Sequence, residues 1–419
     1  AEHKRVRPLC VRRYLDYAAT APLRPEVLAA MLPWLGLPAA DLDRLIVASG
    51  ERPLSPSLAG FGNANALYAE GKAARQALEA ARASLAAAVG AKPTEIVFTS
   101  GGTEADAAAI AGIVAALRAR KGKAAGDHII CSAFEHRAVA KAVLRLKAQG
   151  FQTTMLKPRA DGFIHPDDLA AALRPETLLV SVMLVQNEIG CVQPVAALAA
   201  LAHEAGALFH CDAVQALGKL PININDLSVD AASFSAHKIG GPKGSGALYL
   251  RDGTAFEALQ KGGGQEGGRR GGTQDVASAT GFATAAQIAC EPAYLQAENA
   301  RLAGLRDRLA AGLLAADPRV ALSVPVPAGD VSQHASGICS LLIDGQQSEM
   351  LVLRLDEAGI AASGGSACAA GSLEPSHVLS ALGIGKRRAL GALRLSLGWA
   401  SREADVEALL AAFPSILSR

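Results

Sequence analysis

The chain has 419 residues, of which half are hydrophobic and 19% are charged, and its formal net charge is +2. This length suggests two or more domains, or one large fold with a smaller lobe. The sequence has no block of basic residues and no apolar run of the roughly 18 to 20 residues that span a bilayer, so we expect neither a nucleic-acid partner nor a membrane segment. The seven cysteines are odd in number and show no CxxC spacing. This argues against a disulfide framework or a zinc site and favours a reducing, cytoplasmic location.

The N-terminal part of the chain predicts two helices separated by an excursion rich in proline, leucine and serine. Residues Tyr14–Pro22 form a short strand-to-loop piece, and an early proline begins a helix over Pro25–Leu35. The excursion covers Leu37–Ala59, and an alanine-rich amphipathic helix follows over Lys72–Val89.

An alternation of strands and helices begins at Glu95. The predicted strands cover Glu95–Thr99, His128–Ser132, Leu178–Val185, Ala207–Cys211, Val229–Phe234 and Gly246–Leu250, with helices over Ala105–Arg120 and Pro194–Ala205. Strands separated by helices predict a mostly parallel sheet, whose ligands collect beyond the carboxyl ends of the strands. Polar residues follow several of these strands, namely His136, Asn187, Asp212, Gln215, Ser235, His237 and Lys238. We therefore expect these residues to converge on one site.

Two turns within this alternation carry residues suited to chemistry. The turn Ser100–Glu104 places backbone N–H groups and the hydroxyl of Thr103 at a helix N-terminus, which suits either a phosphate or an ordinary helix cap. Lys238 follows a buried strand and precedes a tight turn of two glycines and a proline. A lysine desolvated there can act as an amine nucleophile toward a carbonyl, although a solvated surface lysine fits the same turn.

The rest of the chain predicts a separate α+β lobe. A glycine-rich loop over Gly262–Thr273, which is either a linker or a loop that contacts an anion, leads into it. The predicted elements are a long helical stretch over Ala277–Ala316 broken near Pro292, strands over Ile338–Ile343 and Ala392–Leu397, and helices over Ser348–Ala358 and Glu403–Ser415. We expect a large domain over residues 21–290 and a small domain formed by residues 1–20 and 291–419.

The residues expected at the strand ends meet the needs of one cofactor, pyridoxal phosphate. Its aldehyde needs an amine, its phosphate needs hydroxyl and N–H donors, and its ring nitrogen needs a carboxylate so that the ring can take up electrons. Nine segments carry a family resemblance across nearly the whole chain: Tyr14–Thr20, Phe98–Glu104, Glu135-His136, Asn187–Gly190, Asp212–Gln215, Ser233–Gly244, Arg270–Thr273, Ser363–Cys368 and Leu393–Gly398. In these segments the sequence resembles the class V aminotransferases, and within them the NifS/IscS-like cysteine desulfurases.

The resemblance implies an α/β enzyme of fold type I that uses pyridoxal 5'-phosphate, with a mostly parallel central sheet and a smaller α+β domain. It implies cofactor contacts by Lys238 as the Schiff-base lysine, Asp212 at the ring nitrogen, Gln215 at the ring phenolate oxygen, His136 on the ring face, and Gly102, Thr103, Ser235 and His237 at the phosphate. Thr273 would reach the phosphate of the neighbouring subunit in a homodimer. Asn187 and Arg394 would bind the substrate carboxylate, and Cys368 would be the nucleophile.

The implied reaction converts L-cysteine to L-alanine and leaves the sulfur as a persulfide on Cys368. An acceptor or scaffold protein, in iron–sulfur cluster assembly or other sulfur trafficking, would then take the sulfur. Cys368 lies among glycine, serine and alanine residues, where a thiolate is accessible. The cysteines at positions 131, 191, 211, 290 and 339 lie in apolar surroundings and are expected to be buried.

The sequence departs from the family pattern at Ala64, Tyr68 and Ala107, where proline, histidine and asparagine are usual, and Leu37–Ala59 is longer than the family norm. Three other functions are weighed against the desulfurase. Relative rates on the two substrates would distinguish a selenocysteine lyase, and Cys368 argues against an aminotransferase that uses a 2-oxo acid. The presence of Lys238, Asp212 and Cys368 argues against a catalytically weak scaffold for sulfur transfer.

Overall fold

The computed structural model describes residues 12–36, 60–122, 126–365 and 374–418. The predicted excursion Leu37–Ala59 and Cys368 lie outside the described residues. The strands are β1 Arg13–Tyr14, β2 Ile96–Thr99, β3 His128–Ser132, β4 Gln152–Leu156, β5 Thr177–Ser181, β6 Leu208–Asp212, β7 Ala231–Ser235, β8 Gly246–Leu250, β9 Val320–Leu322, β10 Ile338–Ile343, β11 Ile360–Ala361 and β12 Ala392–Ser396.

The helices connect and cover these strands. They are α1 Pro25–Met31, α2 Ala69–Val89, α3 Gly102–Lys121, α4 Arg137–Ala148, α5 Pro166–Ala172, α6 Val195–Glu204, α7 Ile224–Leu227, α8 Val276–Ala289, α9 Pro292–Ala316, α10 Ser348–Glu357, α11 His377–Ala381, α12 Lys386–Ala389 and α13 Glu403–Leu417. No helix of the described ranges combines the length and the apolar character that crossing a bilayer requires.

A seven-stranded sheet in the order β2-β8-β7-β6-β5-β3-β4 forms the centre of the protein. The neighbours from β7 to β4 run parallel, whereas β8 runs antiparallel to both β7 and β2. The mostly parallel sheet predicted from the sequence is therefore confirmed, with one reversed strand. Because the parallel strands end at one edge, the residues that follow them lie close together.

Alternating side chains of the strands bury both faces of this sheet. In β2, Phe98 packs on one face with α2 and α8, while Val97 packs on the other with α3 and α4. In β3, Ile130 belongs to the first of these cores and Ile129 to the second. A two-residue period with apolar residues on both faces requires helices on both sides, and the protein has this three-layer arrangement.

A second, smaller core lies around the antiparallel sheet β12-β10-β9. Leucines of α9, α10 and α13 pack on it, and Leu15 from the start of the described chain joins them. The parallel pair β1–β11 ties this N-terminal segment to the same region. The division into residues 21–290 and the two flanking segments stays a prediction.

The structure differs from the sequence-based expectations in two details near the strand ends. Gly101, not Thr103, occupies the N-cap position of α3, and Thr103 lies within the first helical turn. The strand expected over Leu178–Val185 ends at Ser181, because the chain then turns so that the N–H of Met183 donates to the buried carboxylate of Glu135 at 2.8 Å.

Candidate active site

A cavity of about 320 Å³ lies beyond the carboxyl ends of the central strands. Ten residues predicted from the sequence line it: Gly102, Thr103, His136, Asn187, Asp212, Gln215, Ser235, His237, Lys238 and Arg394. Thr273 is exposed and does not line the cavity. Cys368 lies outside the described residues. The structure thus brings together every predicted site residue that it describes except Thr273.

Lys238 is held at the edge of this cavity by the turn that follows β7. Its Nζ donates hydrogen bonds to the carbonyl oxygens of Ala18 and Ala19, at 2.7 and 2.8 Å. After Lys238 the chain passes Gly240 at φ +83°, where an added Cβ would lie 2.6 Å from the side chain of Arg24. The buried Arg24 donates to the carbonyl of Ile239 at 3.0 Å. This turn requires glycine and leaves Lys238 in a defined position.

Asp212 is buried, and His136, which is partly buried, lies close to it. Asp212 ends β6 and accepts a hydrogen bond from the Val214 N–H at 2.9 Å. Burial raises the pKa of Asp212, and the nearby His136 and Lys238 oppose that shift. Nδ1 of His136 accepts from the Ala138 N–H at 3.2 Å, so the neutral ring carries its proton on Nε2. Burial also lowers the pKa of His136, which favours this neutral form.

Two further buried acids, Asp106 and Glu135, lie near Asp212. Asp106, on α3, has a carboxylate oxygen within 4.8 Å of the ligand atoms of His136 and Asp212. Burial raises the pKa of Asp106 well above its usual value, and the charge of Asp212 adds to this. Glu135 accepts from the Ser132 hydroxyl at 2.5 Å and the Met183 N–H at 2.8 Å. Because burial, and after it the charge of the neighbouring Asp212, disfavours the carboxylate form, the pKa of Glu135 is raised to about 8, and Glu135 holds a proton at neutral pH.

The titration of Glu135 makes a prediction for stability against pH. Its pKa is raised from 4.5 to about 8, mainly by burial. Between pH 4.5 and about pH 8 the folded protein holds a proton on Glu135 that the unfolded chain releases. The contribution of protonated Glu135 to the free energy of unfolding is therefore complete below pH 4.5 and is lost as the pH rises through about 8. Glu135→Gln cannot titrate. The melting temperature of Glu135→Gln relative to the parent should therefore rise by about 2 °C or more between about pH 5 and about pH 8.

The exposed Glu176 provides the control for this measurement. Glu176→Gln makes the same change at an exposed position, and its melting temperatures over the same pH range are the baseline for Glu135→Gln. If the melting temperature of Glu135→Gln relative to the parent does not change with pH, Glu135 is ionised in the folded protein at neutral pH. That result would contradict the raised pKa.

The opposite end of the cavity presents the N-terminus of α3. Gly102 opens that helix, and an added Cβ there would lie 2.6 Å from Val214 and 3.6 Å from Ser235. The side chain of Val214, which follows β6, lies where a Cβ of residue 102 would be, so glycine allows this close approach. The N–H groups of the first turn and the hydroxyls of Thr103 and Ser235 thus lie along one wall. This combination suits an anion such as phosphate.

Arg394 lies on the remaining wall, almost completely buried. One terminal nitrogen binds Asp16 Oδ1 at 2.8 Å, and the other donates to the carbonyl of Asn187 at 3.0 Å. Its Nε has no hydrogen-bond partner among the described residues. Backbone hydrogen bonds in both directions join Arg394 to Ser363, at 2.7 and 3.2 Å. A fixed, buried guanidinium of this kind suits a carboxylate ligand.

Several lining residues were missed by the sequence reasoning. They are Ala18, Ala19, Asp106, Arg137, Met183, Glu188, Val214 and His377. Ala18 and Ala19 belong to the quoted segment Tyr14–Thr20, so that segment carried a signal for them. His377 lies in no quoted segment and reaches the site from the C-terminal part of the chain, where its Nε2 lies 2.9 Å from the carbonyl oxygen of Glu135.

Comparison with known proteins decides the family. The model of the class-V aminotransferases matches residues 57–409. The chain belongs to this family. It is similar to the cysteine desulfurase IscS of Clostridium botulinum, with 39% identity over 406 residues that cover 97% of this chain and 94% of that protein. The IscS-like cysteine desulfurase of Mycobacterium tuberculosis is 40% identical over 409 residues, which cover 97% of this chain and 96% of that protein.

Solved structures of similar proteins share the fold. A NifS-like protein superposes with a TM-score of 0.82 at 31% identity and covers 97% of this chain and 99% of its own. DndA from Streptomyces lividans superposes with a TM-score of 0.70 at 34% identity, covering 91% of this chain and 99% of its own. The predicted resemblance and fold class are confirmed, and the protein is a pyridoxal 5'-phosphate-dependent enzyme.

The residues of the cavity fit this cofactor. A single cavity combines an amine at Lys238, a buried carboxylate at Asp212 and the small-residue wall at the N-terminus of α3. The Nε of Arg394, which has no hydrogen-bond partner among the described residues, is a donor that an anionic ligand would complement. When bound, pyridoxal phosphate supplies an aldehyde for the substrate amine and a ring that takes up electrons from the substrate Cα.

Proposed function

We propose that the protein is a cysteine desulfurase. It converts L-cysteine to L-alanine, and the sulfur leaves as a persulfide on Cys368 for delivery to an acceptor protein. The convergence of Lys238, Asp212 and Arg394 on one cavity carries this proposal, and relatives named cysteine desulfurase over 97% of the chain support it. The reaction balances: the Cβ–S bond of the substrate breaks and an S–S bond to Cys368 forms. The two sulfur atoms are oxidised to the persulfide, Cβ keeps the electron pair and is reduced to the methyl group of alanine, and the proton that it gains matches the one that the Cys368 thiol loses.

Lys238 binds the cofactor aldehyde and later holds the proton taken from the substrate Cα at its Nζ. The carbonyls of Ala18 and Ala19, which accept hydrogen bonds from Nζ at 2.7 and 2.8 Å, provide a position for this amine whenever it is not covalently bound. Ala18 and Ala19 line the active-site cavity. The amine of Lys238 therefore stays at the cavity in which the substrate would bind.

Asp212 would hold the proton of the ring nitrogen, His136 would contact the ring, and Gln215 would donate to the phenolate oxygen. Gly102, Thr103, Ser235 and His237 would hold the phosphate. Burial and the charges of Lys238, Lys243 and Lys219 lower the pKa of His237 to about 4. His237 therefore binds as a neutral ring, with Nδ1 3.1 Å from the Thr20 hydroxyl.

Arg394 and Asn187 bind the substrate carboxylate. Asp16 and the Asn187 carbonyl already orient the guanidinium of Arg394, which reduces the entropy lost when the substrate binds. The backbone pairing of Arg394 with Ser363 leads to Gly365, where an added Cβ would lie 3.1 Å from Glu188 on the cavity wall. Cys368 follows three residues later in the chain, which supports its assignment as the nucleophile.

A homodimer completes this proposal. Thr273 is exposed, and its loop is fixed by the ion pair Arg270–Glu104 at 2.9 Å and the hydrogen bond from Asn65 to Gln274 at 3.2 Å. We propose that Thr273 contacts the phosphate bound by the partner subunit. Sedimentation velocity should find a dimer in the active preparation, and Thr273→Ala should bind pyridoxal phosphate about fivefold more weakly. A fully active monomer would contradict this arrangement.

The purified protein tests the desulfurase proposal directly. Incubated with L-cysteine and a thiol reductant, it should release alanine and sulfide in equal amounts. Selenocysteine offered in parallel gives the relative rates for the two substrates. Alanine formed only when a 2-oxo acid is added would indicate an aminotransferase. If the cofactor-loaded protein forms no product, the result would favour a catalytically weak scaffold for sulfur transfer.

A further inference from the structure

A second lysine lies behind Lys238, and the reaction proposed above does not use it. Lys219 follows β6 in the turn that also carries Gln215, and its Nζ donates a hydrogen bond to Oε1 of Gln215. It lines a small cavity of about 50 Å³ together with Lys238, Tyr17 and Ser336. The residue is partly exposed as a whole, but its amine is desolvated.

Charge and burial both act on this amine. Burial, followed by the charges of Lys238 and Arg394, lowers the pKa of Lys219 to about 7. Both protonation states are thus populated near neutral pH. A lysine amine keeps N–H bonds after it loses its proton, so it can donate to Gln215 in either state. The backbone position is also fixed, since Asn299 donates its side-chain N–H to the Lys219 carbonyl at 3.0 Å.

The hydrogen bonds of Gln215 determine which way its carboxamide faces. Nε2 donates to the carbonyl of Ala18 at 2.8 Å, and Oε1 accepts from Lys219. A carbonyl can only accept, and a protonated lysine can only donate. The reversed carboxamide would place oxygen against oxygen at Ala18 and, while Lys219 is protonated, N–H against N–H at Lys219. The amino group of Gln215 therefore has one orientation, and its second N–H remains on a side chain that lines the active-site cavity.

We propose that Lys219 is a positioning residue that holds Oε1 of Gln215 and thereby directs the Gln215 amino group toward the phenolate oxygen of the bound cofactor. The inference rests on the proposed role of Gln215 and extends it to a residue that does not touch the cofactor. Without Lys219, the Ala18 carbonyl would still draw Nε2 of Gln215, but Oε1 would lose the partner that fixes it. The plane of the carboxamide, and with it the second N–H, could then rotate away from the cavity.

A double-mutant cycle on the cofactor-loaded enzyme tests this. The readouts are the apparent pKa of the visible absorbance band and the dissociation constant for pyridoxal phosphate. Loss of a donor to the phenolate oxygen should raise that pKa by about one unit and weaken cofactor binding about fivefold. We expect both effects in Gln215→Leu and in Lys219→Met. In the double variant the effects should not exceed those of Gln215→Leu alone, since Lys219 acts through Gln215.

Matched variants separate positioning from charge. Lys219→Gln keeps an N–H donor without a charge and should stay close to the parent in both readouts, and Lys147→Met removes an exposed lysine of α4 as the control. Lys219→Ala gives the same comparison if Lys219→Met does not fold. Additive shifts in the double variant would overturn the inference. So would a parent-like absorbance band in Lys219→Met or Lys219→Ala if the band of Gln215→Leu is shifted. An unshifted band in Gln215→Leu would overturn it together with the role of Gln215, while the assay of alanine and sulfide would still report on the desulfurase activity.

Discussion

Lys238→Ala should reduce the release of alanine from L-cysteine by at least about a thousandfold. The variant loses the amine that binds the cofactor and the base that receives the Cα proton. The carbonyls of Ala18 and Ala19 that hold Nζ cannot take its place, because they can neither form a Schiff base nor accept a proton. The measurement is the initial rate at saturating cofactor, with Lys147→Ala as a control at an exposed position.

The chemical identity of the lysine can be checked in the parent enzyme. Borohydride should bleach the visible absorbance of the cofactor-loaded protein, and mass spectrometry should then find the reduced cofactor on Lys238. Lys219 is the alternative that this experiment must exclude, since it lines a cavity together with Lys238 and its pKa of about 7 makes it nucleophilic at neutral pH. A reduced adduct on Lys219, or parent activity in Lys238→Ala, would refute the assignment.

The sequence was sufficient to predict the edge of the sheet where the site lies. Each of the residues His136, Asp212 and Lys238 follows an apolar run of strand length, and in a parallel sheet such residues meet. The break between α8 and α9 was also readable, because Pro292 cannot continue a helix from the preceding turn. These predictions depended on local sequence and on one rule of sheet topology.

Contacts between distant segments could not be predicted in this way. The ion pair of Arg394 with Asp16 joins residues 378 positions apart and depends on how the N-terminal segment docks on the small sheet. The proximity of Asp106 to Asp212 depends on the rotation of α3, and the alanine-rich sequence of that helix does not mark which face is buried. Strand β4 was missed because three of its five residues are polar and it lies at the sheet edge. The contact of Lys219 with Gln215 gave no sequence signal, since a lysine after a glycine is ordinary in a surface turn.

Cys368→Ser should bind L-cysteine and still change the cofactor spectrum, yet it should form no persulfide and less than about one hundredth of the parent amount of alanine. The early steps need only Lys238, Asp212 and Arg394, none of which is altered. The later step needs a thiolate to attack the substrate sulfur, and serine cannot supply one.

The five cysteines that the structure describes are unlike such a nucleophile, so we expect the loss to be specific to Cys368. Cys131, Cys191, Cys211 and Cys339 are buried, as predicted from their apolar surroundings, whereas Cys290, which was also expected to be buried, is only partly buried. Burial raises the pKa of Cys191 and Cys339 to about 12 and that of Cys290 to about 11. It also raises the pKa of Cys131 and of Cys211. Thiols of this kind carry almost no thiolate at neutral pH.

Cys290→Ser is therefore the matched control, and it should keep the parent rate and the parent amount of persulfide. Labelled sulfur from cysteine, followed by peptide mapping without reductant, should locate the persulfide on Cys368 alone. An aminotransferase would behave in the opposite way, because its turnover does not need this thiol and Cys368→Ser would leave its rate unchanged. Alanine released from cysteine at the parent rate by Cys368→Ser, or label found on another cysteine, would show that the sulfur leaves the substrate by a different route.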